Sequence, residues 1–281
     1  MREHTRYRRV LPHIFLLFAI FIVLFPIYVV FDASTQLNED ILSAPMPLLP
    51  GAHFIENYTR ALLEGPKNLG ASAFIMIKNS LIMALGISTG KIMISLLAAF
   101  AIVFFHFKGR NFCFWAIFIT LMLPVEVRIM PTYKVISDLN MLNSYAGLIL
   151  PMVVSATAVF LFRQFYLSIP REIAEASQID GASPMQFFGT ILVPMTQTPV
   201  AAMFVIQFIY GWNQYLWPLL ITTKQDFYTL LIGINRMMSG ADVQIEWQIV
   251  MATTLITMIP PVLVVIAMQN QFITGMTETE K

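Results

Sequence analysis

Six stretches of the chain are long, apolar and almost free of charged residues. Each approaches the length of about 20 apolar residues that a helix needs to cross a hydrocarbon core roughly 30 Å thick. Because a backbone in lipid must satisfy its own hydrogen bonds, runs of this length predict helices rather than barrel strands. The predicted fold class is therefore all-α, a polytopic membrane helical bundle with six transmembrane helices. The predicted spans are residues 12–31, 80–105, 112–131, 145–166, 200–222 and 247–268.

The composition agrees with a protein that has lipid as part of its solvent. Of the 281 residues, 57% are hydrophobic and only 12% are charged, whereas a soluble domain carries about 25% charged residues. The net charge of +1 and the absence of a long basic run argue against a nucleic-acid partner. Cys113 is the only cysteine, so it forms no intramolecular disulfide, and its apolar surroundings predict a buried structural thiol.

Basic residues before the first span predict a cytoplasmic N-terminus. They are Arg2, Arg6, Arg8 and Arg9. Six crossings then return the C-terminus to the cytoplasm. A cleaved signal peptide is disfavoured, because the apolar run is long and no clear small-x-small cleavage site follows it. The predicted division is a cytoplasmic N-terminus at 1–11, a single transmembrane domain at 12–268 and a cytoplasmic tail at 269–281.

The segment between the first two spans is too small to be a domain. It opens with a proline-rich run at 44–51 and then predicts a short helix at 54–63, with Phe54, Tyr58 and Ala61 along one side. Two interpretations stay open for it. The segment meets a partner outside the membrane, or it is a lid packed on the ends of the helices.

The loop at 168–199, between the fourth and fifth spans, contains two short predicted helices. The first begins after Pro170 and ends at Asp180 and Gly181, since glycine suits a left-handed helix terminus. Ser183 and Gln186 have the spacing of a capping box, which predicts the start of the second helix. We expect Pro194 to break that second helix. Two helices joined at a sharp glycine bend form a shape that suits docking against another protein.

The loop also carries a spaced motif. Glu175-Ala176-Ser177, then Gly181, then Ile191-Leu192-Val193-Pro194 resembles the cytoplasmic "EAA" loop of permeases in ATP-binding-cassette importers. Ser177 replaces the second alanine of the family pattern, and Val193 replaces its leucine. The resemblance implies that this loop holds the cytoplasmic helix that couples the permease to its ATPase. The coupling residues that it implies are Glu175, Ala176, Ser177, Asp180, Gly181, Ile191 and Pro194.

Other segments are similar to the carbohydrate-uptake branch of these permeases, and above all to the sn-glycerol-3-phosphate importers. They are residues 122–128, 144–148 and 210–219. The resemblance implies a bacterial inner-membrane complex with a second, different permease, two nucleotide-binding ATPase subunits and a periplasmic substrate-binding protein. It implies sn-glycerol-3-phosphate as cargo, with glycerophosphodiesters or another small sugar or polyol as alternatives. The chain lacks a Walker motif, so it is expected to be no enzyme and to bind no cofactor. ATP and Mg would be used by the partner ATPase.

Ionisable groups at membrane depth are costly, so each needs a partner or water. Lys91 shares a helical face with Ala84, Ser88 and Ser95, which predicts that it faces the bundle interior. Two interpretations stay open: a cation on the translocation path, or a lysine paired for structural reasons.

Two further groups are candidates for the path. Glu126 and Arg128 lie between Pro124 and Pro131, where we expect an irregular backbone. Arg128 offers a forked donor array to an anion, or pairs with Glu126 or another helix. The fifth span holds polar and aromatic residues that line the path or join helices. They are Gln207, Tyr210, Trp212, Asn213, Gln214 and Trp217.

Two rival classes of function have less support. A secondary transporter would need a proton or sodium site, and the spans contain no carboxylate cluster. A membrane enzyme would need a catalytic or metal-binding pattern, but the four histidines are scattered without metal-ligand spacing.

Overall fold

The protein is described by a computed structural model that covers residues 3–67, 69–120, 125–239 and 244–278; side chains are described for 12–67, 69–120, 127–239 and 244–269. Every regular element in these ranges is helical. The α-helices are α1 Glu3–Thr35, α2 Asn38–Ile41, α3 Phe54–Leu63, α4 Ala73–Phe104, α5 Arg110–Ile119, α6 Val125–Asp138, α7 Tyr145–Ile149, α8 Ala156–Ser168, α9 Arg171–Ile179, α10 Pro184–Gln186, α11 Val193–Met195, α12 Gln197–Trp212, α13 Leu216–Ile221, α14 Leu230–Met238 and α15 Trp247–Glu278. Short 3-10 helices lie at Leu150–Met152 and Gln225–Phe227, and a π-helix lies at Phe187–Leu192.

Among the described residues, three helices are long and apolar enough to cross a membrane by themselves. They are Pro12–Thr35, Ala73–Phe104 and Trp247–Gln269, and they overlap the first, second and sixth predicted spans. Two bent helix pairs raise the count to as many as five if each pair is one span. The count of six therefore stays a prediction, as do the boundaries of the single domain.

The other predicted spans are interrupted. The fourth is bent by 49° between Tyr145–Met152 and Ala156–Ser168, where the Ser155 hydroxyl accepts a hydrogen bond from the Ala158 N–H and starts α8. In the fifth, α12 ends at Trp212 and α13 begins at Leu216. The third is represented by α5 and α6, and residues 121–124 between them lie outside the described part.

Two sequence-based expectations for the third span are wrong. From Val125 onward the backbone is a regular helix that includes Pro131, rather than an irregular segment between two prolines. A proline inside a helix costs one backbone hydrogen bond, and membrane helices tolerate that loss when neighbouring groups satisfy the freed carbonyl.

The expectation of a buried thiol at Cys113 is also wrong. Cys113 is exposed on this chain, as α5 contains no buried residue.

The chain divides into two compact units. The first combines the described residues of Met1–Phe74 with Gly233–Ile259. Within it α3 lies on the end of α1, and Ala61 of α3 packs with Ile249 and Ala252 of α15. Arg60 forms an ion pair with Glu246, whose other carboxylate oxygen accepts a hydrogen bond from the Lys67 N–H at 3.2 Å. The segment before the second span is therefore a lid on helix ends, as one of the two open interpretations held.

The buried Asn57 side chain caps the end of α1. Its amide nitrogen donates to the carbonyl oxygens of Ser34 at 3.0 Å and Gln36 at 2.9 Å. The last carbonyls of a helix have no partner within the helix, and burying them unpaired is costly. Asn57 therefore supplies from α3 the hydrogen bonds that α1 cannot make for itself.

The second unit comprises Ile75–Ile232 and the chain from Pro260 onward. Two hydrophobic clusters lie among its described residues. One joins α4, α6, α7 and α13, with Met83, Ile87, Leu148, Trp217 and Ile221 at its centre. The other joins α4, α8 and α12 to the chain after Ile169, with Phe100, Phe162, Phe187, Leu192 and Met203 buried. This second cluster is what positions the loop with the spaced motif.

Candidate coupling loop and translocation path

Helix α9 presents a short amphipathic surface at the start of the loop. Glu175 and Ala176 are exposed, while Ser177 is buried with 4% of its surface accessible. Ile173 and Ala174, on the same side as Ser177, pack against the second cluster. The position that holds alanine in the family pattern is therefore a close packing contact here, and serine is small enough to fit it.

Gly181 ends α9 in a Schellman motif, as its position predicted. Its φ is +78°. The Gly181 N–H bonds to the Gln178 carbonyl at 3.0 Å, and the Ala182 N–H bonds to the Ser177 carbonyl at 3.0 Å. These two bonds are the pair that defines the motif. No atom lies within 4 Å of the place where a Cβ would be, so the demand for glycine comes from backbone conformation alone.

The second helix begins at the predicted capping box. The Ser183 N–H donates to Gln186 Oε1 at 2.8 Å, and the Gln186 N–H donates to Ser183 Oγ at 3.4 Å. Pro194, however, does not break this helix. The turns before it widen into the π-helix Phe187–Leu192, and the chain stays helical through Met195. Because proline has no N–H and its ring needs room, a widened turn before it avoids the clash that would break a regular helix.

The helix is interrupted two residues after Pro194, at Thr196. Pro184–Met195 and Gln197–Trp212 meet there at an angle of 75°. The Thr196 N–H bonds to the carbonyls of Leu192 and Val193, both at 3.1 Å, and its hydroxyl donates to the Val193 carbonyl at 2.8 Å. Thr196 thus satisfies the carbonyls at the bend.

Aromatic rings attach the loop to the ends of the long helices. Phe187 lies 5.2 Å from Phe104 of α4, and Phe188 lies 5.0 Å from Phe100, measured between ring centroids. Phe104 also contacts Tyr166 of α8 at 5.9 Å. Of the predicted coupling residues, Ser177 and Ile191 face this packing, whereas Glu175, Ala176, Asp180, Gly181 and Pro194 are exposed. The aromatic contacts therefore connect this part of the loop to α4 and α8.

Lys91 occupies the interior face of α4, as its spacing predicted. Ala84, Ser88 and Ser95 on that face are each 0% exposed, and Lys91 is 6% exposed. Its ammonium donates to Gln207 Oε1 at 2.9 Å and lies 3.7 Å from the centroid of the Tyr210 ring. An ammonium has three donors, so one amide and one ring face leave it capacity for a further acceptor.

Arg128 is exposed on α6 and makes no ion pair among the described side chains. The Glu126 side chain lies outside the described part, so its pairing with Arg128 stays a prediction.

The polar cluster of the fifth span separates into different environments. Gln207 and Tyr210 contact Lys91, whereas Trp212 is buried and stacks on Phe208 at 5.9 Å. Trp217 donates from Nε1 to the Gly147 carbonyl at 3.1 Å, which joins α13 to α7.

The two amides that follow Trp212 are more accessible. Asn213 is exposed and Gln214 is half-buried, with Gln214 Nε2 donating to the Tyr210 carbonyl at 3.1 Å. Within this cluster the structure therefore brings Gln207 and Tyr210 to the lysine.

Gly211 permits the close crossing of α12 and α4 beside Lys91. A Cβ on Gly211 would lie 2.9 Å from the Ala84 Cα. Small residues at such crossings let membrane helices approach backbone to backbone. The approach holds Gln207 and Tyr210 against the lysine.

Sequence reasoning missed a second buried polar centre, at Asn79. Its amide nitrogen donates to the carbonyls of Asp226 at 2.8 Å and Tyr228 at 2.9 Å, and its oxygen accepts from the Tyr145 hydroxyl at 2.7 Å. Asn143, whose φ is 52°, accepts hydrogen bonds at its side-chain oxygen from the N–H groups of Thr223 at 2.7 Å and Lys224 at 2.8 Å. An asparagine at the edge of an apolar run was the available signal, but its partners lie far away in the sequence.

The comparisons with known proteins identify the class of protein. Residues 91–278 match the family of binding-protein-dependent transport system inner membrane components. The chain belongs to this family of ATP-binding-cassette importer permeases. It is a multi-pass transport permease of the inner membrane, and members of the family act with a partner permease, an ATPase and a binding protein.

Full-length relatives are more specific. The chain is 52% identical to a permease protein of the sn-glycerol-3-phosphate transport system of Agrobacterium fabrum, 51% identical to that of Brucella melitensis and 50% identical to that of Escherichia coli, each over 100% of both chains. A crystal structure of a bacterial ABC transporter involved in the import of the acidic polysaccharide alginate has the same fold. It gives a TM-score of 0.82 at 18% identity and covers 97% of this chain and 99% of that one.

Proposed function

We propose that this chain is the permease subunit of an ATP-driven importer that carries sn-glycerol-3-phosphate across the bacterial inner membrane. The observation that carries the proposal is a sequence identity of 50% to 52%, over the full length of both chains, to permeases that are named for that cargo. Another small sugar or polyol is the nearest alternative, because related permeases of one fold carry different solutes.

The proposed assembly contains this chain, a second and different permease, two copies of a nucleotide-binding ATPase and a periplasmic substrate-binding protein. This chain binds no cofactor, and ATP and Mg act at the partner ATPase. In support, the chain contains no Walker motif. Closure of the ATPase pair would move α9, and the aromatic contacts from Phe187 and Phe188 to α4 would carry the motion to the face that holds Lys91.

We further propose that the N-terminus, the C-terminus and α9 are cytoplasmic. A suitable labelling position is Asp180, which is exposed, rather than the buried Ser177. In a Cys113→Ser background, an impermeant maleimide should label an Asp180→Cys variant only after the inner membrane is permeabilised. Ile55→Cys, 78% exposed on α3, should be labelled in intact cells. Efficient labelling of position 180 in intact cells would defeat the orientation.

The coupling role of the loop predicts a specific effect of Gly181→Val. A β-branched residue at φ +78° costs about 1–2 kcal/mol, and the strain falls on the end of α9. We expect normal membrane insertion and a loss of roughly tenfold in transport. The measurement is cargo uptake together with cargo-stimulated ATP hydrolysis in purified complexes.

A matched control is Gly189→Val, since a Cβ at Gly189 also meets no atom within 4 Å and its φ is not positive. This control should transport like the parent. Glu175→Lys, which changes the exposed face of α9 without backbone strain, should weaken ATPase retention during purification. If both Gly181→Val and Glu175→Lys assemble and transport like the parent, the loop does not transmit the motion.

The charge on Lys91 supports an anionic cargo. A phosphate in a low-dielectric path needs cations or strong donors, and Lys91 and Arg128 are the candidate cations for that path. Gln207 and Tyr210 would hold the ammonium between transport events.

Neutralising either cation should therefore reduce uptake more than assembly. Lys91→Met and Arg128→Gln each remove a charged donor worth about 1.5–3 kcal/mol, so we expect roughly a 10- to 100-fold loss of glycerol-3-phosphate uptake. Lys134→Gln, an exposed cation later on α6, is the control and should have little effect. Equal losses of uptake and of co-purified subunits would show that the two cations are structural.

A further inference from the structure

The segment from Ala44 to Pro50, called the proline loop here, is apolar and exposed in the first unit. It consists of alanine, methionine, two leucines and three prolines, and no charged residue lies between Asp40 and Glu56. Leu48 is 55% exposed and Leu49 is 79% exposed. An exposed apolar segment of this kind in a folded protein indicates a surface that is covered by lipid or by protein.

A hydrogen bond fixes the level of the loop along α1. The Tyr28 hydroxyl donates to the Leu48 carbonyl at 2.7 Å. Tyr28 precedes the end of α1 at Thr35 by seven residues, which at 1.5 Å per residue is about 10 Å along the helix. The Cα–Cβ bond of a helical residue tilts toward the N-terminus of its helix. The Tyr28 side chain therefore does not extend from its own position toward the C-terminal end of α1. The proline loop therefore folds back beside the apolar surface of α1 instead of extending away from the membrane.

The backbone of the proline loop is adapted to a place with little water. Its three prolines have no N–H to leave unpaired. The Leu49 carbonyl accepts from Gln36 Nε2 at 2.7 Å, and the N–H of Gly51, which follows the loop, donates to Thr35 Oγ1 at 2.7 Å. Side chains at the end of α1 thus satisfy main-chain groups that water would otherwise satisfy.

We propose that the proline loop is a lipid anchor that lies in the outer interfacial layer of the bilayer, with Leu48 and Leu49 reaching the boundary of the acyl chains. The partner is lipid, because Tyr28, which contacts the loop, lies one helical turn after the exposed apolar side chains of Leu24 and Phe25 on the membrane-spanning helix α1. Acyl chains rather than charged headgroups are recognised, since the loop carries no cation. The anchor fixes the outer end of α1 and the lid that caps it at a constant depth.

The test is spin-label accessibility at Leu49→Cys in the Cys113→Ser background. The purified transporter complex is placed in nanodiscs of phosphatidylethanolamine and phosphatidylglycerol. Oxygen partitions into lipid and a nickel chelate stays in water, so their collision rates report the depth of the label. At position 49 oxygen should collide more often than nickel. At Ile55→Cys, a matched exposed apolar site on α3, nickel should collide more often than oxygen.

A second variant tests whether the hydrogen bond from Tyr28 to Leu48 sets the depth of the proline loop in the bilayer. Tyr28→Phe keeps the ring but removes the hydroxyl that holds Leu48, so the oxygen-to-nickel ratio at position 49 should shift toward water. A label at 49 that is dominated by nickel would place the loop in water and overturn the proposal. A label that neither reagent reaches would place the loop against another subunit of the complex, and that result would also overturn the proposal.

Discussion

A polar group that is buried away from water must find its hydrogen-bond partners within the protein, because leaving it unpaired is costly. This constraint explains the side chains that hold the structure together. Asn57 caps the carbonyls at the end of α1, and Asn79 bonds the chain near Asp226 and Tyr145. Thr196 satisfies the carbonyls at the sharpest bend in the loop. Each is a small polar residue whose bonds replace those that water would make.

At Lys91 this constraint acquires a function. A lysine that served structure alone would be expected to meet a carboxylate, yet this one is held by an amide and a ring face. These partners contact the ammonium without supplying a negative charge. An anion therefore still gains from approaching it. The close crossing at Gly211 and Ala84 maintains that arrangement, and the aromatic contacts at the end of α4 connect the same helix to the loop.

The sequence predicted local features well and long-range partners poorly. The glycine at the end of α9, the capping box at Ser183 and the helix at Phe54–Leu63 were found because each depends on neighbouring residues. The interior position of Lys91 followed from helical periodicity. The partners of Asn79 and Asn57 could not be found, since they depend on chain segments that are brought together only by folding. Pro124 and Pro131 misled the prediction, because local propensity does not show how a surrounding bundle satisfies a freed carbonyl. Local propensity also failed to predict the effect of Pro194, because the π-helix Phe187–Leu192 before it avoids the steric clash that would break a regular helix.

We propose that ATP, and no ion gradient, drives cargo through this chain and its partners. The most direct measurement is uptake of labelled sn-glycerol-3-phosphate into proteoliposomes that contain the purified complex, with binding protein outside and ATP inside. The account predicts that uptake requires both components and is unchanged when proton and sodium gradients are dissipated. Uptake that continues without ATP, or that stops when an ion gradient is removed, would contradict it.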